Sequence, residues 1–161
     1  MAAAVAARAA RSVSLPCPAD EAFAFVADVE ASARLFPLLE AIGRAPSFDR
    51  GDARAWRTRL RPQGPGAFAV QPEYVSRYTA HPEERRLVWT PVPDEGNALV
   101  AGSCQVEDEG AGCRVLLSVE METTLPAPRL AARAIERAVQ LGFDAAVTIH
   151  VRRIAAHLSR G

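Results

Sequence analysis

The sequence contains no lysine and only three cysteines. All 19 basic residues are arginines, and 19 acidic residues balance them, so the net charge is zero. A nucleic-acid-binding domain usually carries a basic excess, and we therefore expect no nucleic-acid partner.

Cys17, Cys104 and Cys113 show no CxxC spacing, which argues against a structural zinc site or a disulfide framework. Cys104 and Cys113 could face each other across a hairpin, but two buried free thiols are the favoured interpretation.

Several sequence motifs of catalytic, phosphate-binding and metal-binding sites are also missing. The sequence has no glycine-rich phosphate loop, no HExxH and no GxSxG, and its histidines lack HxH or HxxxH spacing. We therefore predict no metal and no cofactor.

No stretch approaches the ~20 apolar residues of a membrane span. The alanine-rich start, which Arg8 interrupts, lacks the leucine-rich centre of a signal peptide. These absences favour a cytoplasmic protein.

The length of 161 residues fits a single domain over residues 1–161. A chain of this size buries roughly two-thirds of the surface that its unfolded form exposes. It therefore needs neither a metal nor a disulfide to fold.

The first third predicts one strand and two short helices. "ARSVSLP" alternates apolar and polar residues and predicts a strand that ends at Pro16. "PADEAFAFVADV" then places Pro18 at a helix start with acidic residues close behind, where the helix dipole favours them. "EASARLF" predicts a second helix ending at Pro37, because the residue before a proline avoids the α conformation.

From there to about residue 125, apolar residues recur with period two, which predicts an antiparallel sheet with one buried face. "ARAWRTRL" places Trp56, Thr58 and Leu60 on one face and arginines on the other. "YVSRYTA", "RRLVWTPV" and "CRVLLSVEMETTL" alternate similarly, and clusters of turn-forming residues separate them. Together these segments predict a meander.

The last third predicts one long helix of about thirty residues, or roughly 45 Å at 1.5 Å per residue. It is rich in alanine and leucine, which favour helices. Two stripes follow helical spacing. The polar stripe is predicted to contain Arg133, Arg137, Gln140, Asp144 and Thr148, with Asp144 facing solvent. The apolar stripe is predicted to contain Ala131, Ile135, Ala138, Gly142, Ala145, Ala146 and Ile149.

This order of elements resembles the START-like helix-grip superfamily (SRPBCC), which includes polyketide cyclase/dehydrase-like proteins, ubiquinone-binding lipid carriers and birch-pollen-type allergens. The matching segments are "PADEAFAFVADVEASARLFP", "HPEERRLVWTPV", "SVEMETTLP" and the helix after Pro126. The resemblance implies an α+β fold in which a curved antiparallel sheet of six to seven strands wraps the C-terminal helix. It also implies a cavity between them, with the two short helices at its mouth.

The inward faces of these elements supply the candidate ligand-binding residues. They are Leu35 and Phe36 at the mouth, Trp56, Tyr74, Tyr78, Trp89, Leu117 and Val119 from the sheet, and Ile135, Val139, Phe143 and His150 from the helix. The alternative is that these side chains simply fill the core. His150 is the best candidate for acid–base chemistry, although a core-edge histidine bonded to a strand carbonyl or water is favoured.

Three functions compete. The leading hypothesis is binding or transport of a small hydrophobic molecule that is lipid-, quinone- or polyketide-like. The second is a polyketide cyclase, dehydratase or aromatase in which His150, Tyr74 or Tyr78 moves protons. The third is a protein-interaction module. Separately, Arg57, Arg59 and Arg61, with Arg54 nearby, could contact an acidic partner, RNA or lipid headgroups, although the outer face of a sheet also explains them. The predicted lining faces offer no carboxylate partner for His150, which favours binding over catalysis. The sequence predicts neither the ligand's identity nor an oligomeric state.

Overall fold

The computed structural model describes residues 3–160, which contain seven strands and three α-helices. The strands are β1 (Ala3–Leu15), β2 (Leu39–Arg44), β3 (Arg54–Leu60), β4 (Glu73–His81), β5 (Arg86–Gly96), β6 (Ala98–Asp108) and β7 (Cys113–Leu125). The helices are α1 (Ala19–Ala27), α2 (Val29–Ala33) and α3 (Arg129–Leu158). Within these residues no helix combines the length and apolar character that crossing a membrane requires.

The strands form one antiparallel sheet in the order β1-β7-β6-β5-β4-β3-β2. The sheet curls into a half-barrel around α3, and the two short helices follow β1. This arrangement confirms the helix-grip fold that the resemblance implied. It places α3 and the concave face of the sheet opposite each other, so their inward side chains surround one interior.

The period-two pattern correctly assigned the two faces of β7. In β7, Val115, Leu117 and Met121 are buried, whereas Arg114 and Glu120 are exposed. A strand with one face on the core and one in water produces this alternation.

The same rule places Thr58 and Leu60 of β3 inside. On β3 and β4 the outer face is also partly buried, because Ala55, Val75 and Val92 form a second apolar cluster with Ala45 and Phe48.

Two arginines of β3, Arg57 and Arg59, lie close to carboxylates on the outer face. Arg57 lies 3.0 Å from Glu95 and 3.9 Å from Glu73, and Arg59 lies 3.7 Å from Glu40. These pairs reduce the positive charge that this face offers to an acidic partner. The protein-interaction hypothesis itself stays a prediction.

The cysteines are buried free thiols, as the favoured interpretation predicted. Cys104 is paired with Leu117 and Cys113 with Asp108 in the β6–β7 ladder. The two cysteines therefore do not face each other, and a disulfide between them is not compatible with this register.

Two element boundaries differ from the prediction. β1 begins at Ala3, well before "ARSVSLP", and Ala3, Val5, Ala7 and Ala9 alternate as its buried face. Alanine is depleted in strands, so its period-two pattern carries little signal. α2 ends at Ala33 rather than at Pro37, and the chain continues as turns through Phe36.

The predicted apolar stripe of α3 is partly wrong. Ala138, Gly142, Ala145 and Ile149 are exposed. The buried face consists of Ile135, Val139, Phe143, Ala146, Val147, Val151, Ile154 and Leu158. Alanines surround the helix, so its spacing fits more than one stripe. The larger side chains decide the orientation because they bury more apolar area.

Asp144 of the polar stripe was predicted to face solvent, but polar side chains of α3 cover the free edge of β1. Gln140 Oε1 accepts from the Arg8 N–H at 3.0 Å, and Gln140 Nε2 donates to the Arg8 carbonyl at 2.7 Å. Glu136 accepts from the Ala6 N–H at 3.2 Å, and Asp144 pairs with Arg11 at 3.3 Å. Unpaired strand edges template aggregation, and these side chains satisfy backbone groups that would otherwise stand open.

We expect the Gln140→Ala variant to lose about 1–2 kcal/mol of unfolding free energy, because two hydrogen bonds to β1 disappear at ~0.5–1.5 kcal/mol each. Urea denaturation would measure this change. Leu141→Ala is the control, because Leu141 is 66% exposed and such surface changes stay within about 0.5 kcal/mol. Equal stability of the two variants would contradict the edge-sealing role.

Candidate ligand-binding site

A cavity of about 110 Å³ lies inside the half-barrel, enclosed by side chains from the sheet and all three helices. Its wall is predominantly aliphatic and aromatic. Eight of the twelve predicted ligand-binding residues line it: Phe36, Tyr74, Tyr78, Trp89, Leu117, Val119, Phe143 and His150. The structure thus brings together the inward faces of sheet and helix, while the ligand-binding role of these residues stays a prediction.

The other four predicted residues lie outside the cavity wall. Ile135 and Val139 are buried in the first half of α3, whereas the cavity-lining part of the helix starts at Phe143. The Leu35 carbonyl accepts a hydrogen bond from Arg153 at 3.4 Å. Trp56 packs behind Tyr78 at a ring-centroid distance of 5.5 Å. Helical and strand periodicity identifies the inward face but not how far along it the empty space extends.

The structure also identifies lining residues that were not among the candidates. They include Val26, Val29, Ser32, Thr58, Leu87, Val100, Cys104 and Met121. The period-two alternation had already placed Thr58 and Met121 on inward faces, although neither was chosen as a candidate ligand-binding residue. Ser32 carried no such signal, because α2 is too short for a periodic pattern.

An aromatic cluster forms one part of the wall. The Tyr78 ring stacks on the Trp89 ring, with centroids 5.5 Å apart and planes 27° apart. The Trp56 ring meets Tyr78 edge-on, with an interplanar angle of 89°. The Trp89 ring in turn lies against Gly102 on the neighbouring strand. These contacts hold the rings of Tyr78 and Trp89 in fixed orientations.

A polar region adjoins this cluster. Thr58 lies directly across from Tyr74 in the β3–β4 ladder and is 3% exposed. Burial raises the pKa of Tyr74 to about 12, an effect that the nearby Thr58 hydroxyl partly offsets. Burial, and secondarily Tyr74, also raise the pKa of Tyr78. Both phenols therefore keep their protons near neutral pH.

Cys104 contributes a thiol rather than a thiolate. Burial raises its pKa to about 12. Since the thiolate is the nucleophilic form, this arrangement does not favour covalent catalysis by Cys104.

His150 connects α3 to α2. Its Nε2 lies 3.0 Å from the Ser32 carbonyl oxygen. A carbonyl only accepts, so Nε2 carries the proton and Nδ1 is the free basic nitrogen of the neutral ring. Burial is the main effect that lowers the pKa of His150, which favours this neutral form. The partner is thus a helix carbonyl, rather than the strand carbonyl or water that the sequence suggested.

We expect the stability of the protein to fall as pH drops below about 6.5, the ordinary pKa of histidine. The unfolded chain takes up a proton there, whereas the folded protein, in which the pKa of His150 is lowered, resists protonation. Stability is therefore full above this pH and declines until pH passes the folded pKa. Denaturant unfolding at several pH values would measure the decline.

His150→Gln should show a smaller decline, because glutamine retains a donor for Ser32 but does not titrate. His81→Gln, at an exposed position, is the control and should behave as the wild type does. An identical pH dependence in all three proteins would contradict the prediction.

The sequence of residues 6–154 matches the polyketide cyclase / dehydrase and lipid transport family. The chain belongs to this family. No protein with a curated description matches the sequence.

Solved structures of START-like proteins share the fold of this family member. A Streptomyces aromatase/cyclase has a TM-score of 0.68 at 15% identity, covering 96% of this chain and 94% of its own. A Thalictrum flavum norcoclaurine synthase has a TM-score of 0.61 at 14% identity, covering 97% and 96%. A START superfamily protein from Mycobacterium smegmatis has a TM-score of 0.58 at 12% identity, covering 95% and 97%. At these identities the likeness concerns the fold.

Proposed function

We propose that this protein binds or carries a small hydrophobic ligand, lipid-, quinone- or polyketide-like, in the cavity between the sheet and α3. The observation that carries the proposal is the empty space itself. Protein interiors are normally close-packed, yet here an apolar volume of about 110 Å³ remains among aromatic and aliphatic side chains. The family's description, which includes lipid transport, supports the same function.

Apolar burial alone sets a limit on affinity. A ligand burying ~300 Å² of apolar surface gains about 7 kcal/mol. Loss of translational and rotational freedom reduces this gain, and a micromolar dissociation constant already requires about 8.2 kcal/mol. Tighter binding therefore needs a larger buried area or polar contacts in the cavity.

Side-chain contacts hold the two short helices against the rest of the protein, among them the hydrogen bond from Trp56 to Glu30 of α2. α2 has five residues, and its Ser32 carbonyl bonds to His150 of α3. Phe25 of α1 stacks on His157 with centroids 4.4 Å apart. Contacts of this kind break and reform at low energetic cost, so displacement of α2 would admit a ligand without unfolding the sheet.

A cyclase or dehydratase is the second candidate, because His150, Tyr74 and Tyr78 all line the same cavity. The raised pKa values of both phenols make them poor acids and bases near neutrality. His150 offers a single basic nitrogen, and within residues 3–160 no carboxylate lines the cavity to assist it. These features favour holding a ligand over transforming it.

Native mass spectrometry of protein purified from its own host would test the proposal. We expect a mass above that of the chain, and release of one hydrophobic molecule on denaturation. Incubating that molecule with wild type and His150→Gln would then show whether it is converted or only held. A clean ligand-free mass, together with no binding of a neutral fluorescent probe such as Nile red, would contradict the proposal.

A further inference from the structure

The cavity contains one buried hydroxyl without a partner. Thr58 Oγ1 is inaccessible to solvent and has no partner with normal hydrogen-bond geometry among the described residues. The Tyr74 hydroxyl is near enough for Thr58 to lower its pKa, but the pair does not meet that geometry. Thr58 lines the cavity and is only 3% exposed. Buried polar groups are nearly always paired, and each exception calls for an explanation.

Two other hydroxyl-bearing side chains lie in the same wall. Tyr74 is the direct cross-strand partner of Thr58, and Tyr78 follows on the same inward face of β4. Thr58 and Tyr74 thus place two hydroxyl-bearing side chains opposite each other on adjacent strands. Tyr78 lies four residues further along β4, where its ring stacks on Trp89. A hydroxyl both donates and accepts, so this group suits either a hydroxyl or a carbonyl oxygen.

The wall carries no charge with which an ion could pair. Within residues 3–160, its titratable groups are Tyr74, Tyr78, Cys104 and His150. Burial favours the neutral form of each of them. An ionised carboxylate in this space would lose its hydration without gaining a counter-ion, which is strongly unfavourable.

From this geometry, we propose that the ligand is a neutral molecule whose hydroxyl or carbonyl oxygen binds at Thr58, Tyr74 and Tyr78, and that the cavity rejects ionised acids. This inference rests on the proposed binding function. It narrows the ligand class to neutral, oxygen-bearing hydrophobic compounds and makes fatty-acid anions poor ligands.

The unpaired Thr58 hydroxyl also links ligand selection to stability. In the ligand-free protein it is a buried group without a hydrogen bond, which destabilises the fold. Thr58→Val keeps the shape and removes the hydroxyl. We expect this variant to melt about 2–4 °C higher than the wild type while discriminating less between ligands.

Three probes of similar shape test the selection: naphthalene, 2-naphthol and 2-naphthoate, each competed against Nile red. In the wild type we expect 2-naphthol to bind about tenfold tighter than naphthalene, the ratio that a single good hydrogen bond provides. We expect 2-naphthoate to bind more weakly than either. In Thr58→Val the ratio of the affinities for 2-naphthol and naphthalene should fall towards onefold.

Thr123→Val is the matched control, because Thr123 is equally buried but donates to the Asn97 carbonyl outside the cavity. It should keep the wild-type preference for 2-naphthol. This inference fails, while the binding function stands, in either of two cases. In the first, naphthalene binds and 2-naphthol binds no tighter than naphthalene. In the second, 2-naphthoate binds as tightly as 2-naphthol. If no probe binds and the native mass is ligand-free, both fail.

Discussion

Replacing Gly102 with alanine is expected to destabilise the fold by about 2–4 kcal/mol, the upper range for inserting a group into a packed core. A Cβ at this position would collide with ring carbon Cζ2 of Trp89 and come within 2.5 Å of the Ser118 carbonyl oxygen. The carbonyl belongs to the β6–β7 ladder and cannot move alone. The Trp89 ring would have to leave its stack on Tyr78.

Urea denaturation would measure the loss of stability, and near-ultraviolet circular dichroism would report the displaced tryptophan. Gly43→Ala is the matched control on β2, because no heavy atom lies within 4 Å of its added Cβ. We expect this control to be neutral or slightly stabilising, since alanine restricts the unfolded chain. If both variants unfolded at the same urea concentration, the close packing of Trp89 on Gly102 would be wrong.

The sequence predicted the sheet well where large residues alternate with charges. β7 is the clearest case, because Val115, Leu117 and Met121 can only be buried together if the strand has one inner face. The prediction made β1 too short and assigned the wrong buried face to α3, because alanine dominates both segments. Alanine occurs in both buried and exposed positions and in both strands and helices. Its positions therefore carry little information about which side of an element faces the core.

The cavity was less predictable than the fold that contains it. Alternation showed that Tyr74 and Leu117 point inward, but not whether opposing side chains meet. Ile135 and Phe143 lie on the same buried face of α3, yet only Phe143 borders the empty space. That difference depends on how far α3 stands from each part of the sheet, which follows from packing of the whole molecule.

The polar features of the site depend on tertiary contacts in the same way. Nothing local indicates that the Thr58 hydroxyl would remain unpaired, or that the His150 ring would bond to Ser32, 118 residues earlier in the chain. Sequence patterns identify which residues face inward. The partner, or the lack of one, is decided by the strand register and by where α2 ends.

Filling the cavity should abolish ligand binding without unfolding the protein. Val119 lies on the inner face of β7 and lines the cavity. We expect Val119→Phe to weaken binding of Nile red by at least about tenfold, because its ring occupies the space a ligand needs. The ring enters an existing void, so the cost should stay below the ~1–3 kcal/mol typical of overpacking.

Leu116→Phe provides the matched control on the same strand. Leu116 is half-buried, as Val119 is, but successive side chains of a strand point to opposite faces, and Leu116 is not part of the cavity wall. We expect this variant to bind Nile red as the wild type does. Loss of binding in Val119→Phe alone would locate the ligand inside the half-barrel. Equal loss in both variants, or none in either, would place the probe on the surface and contradict an internal site.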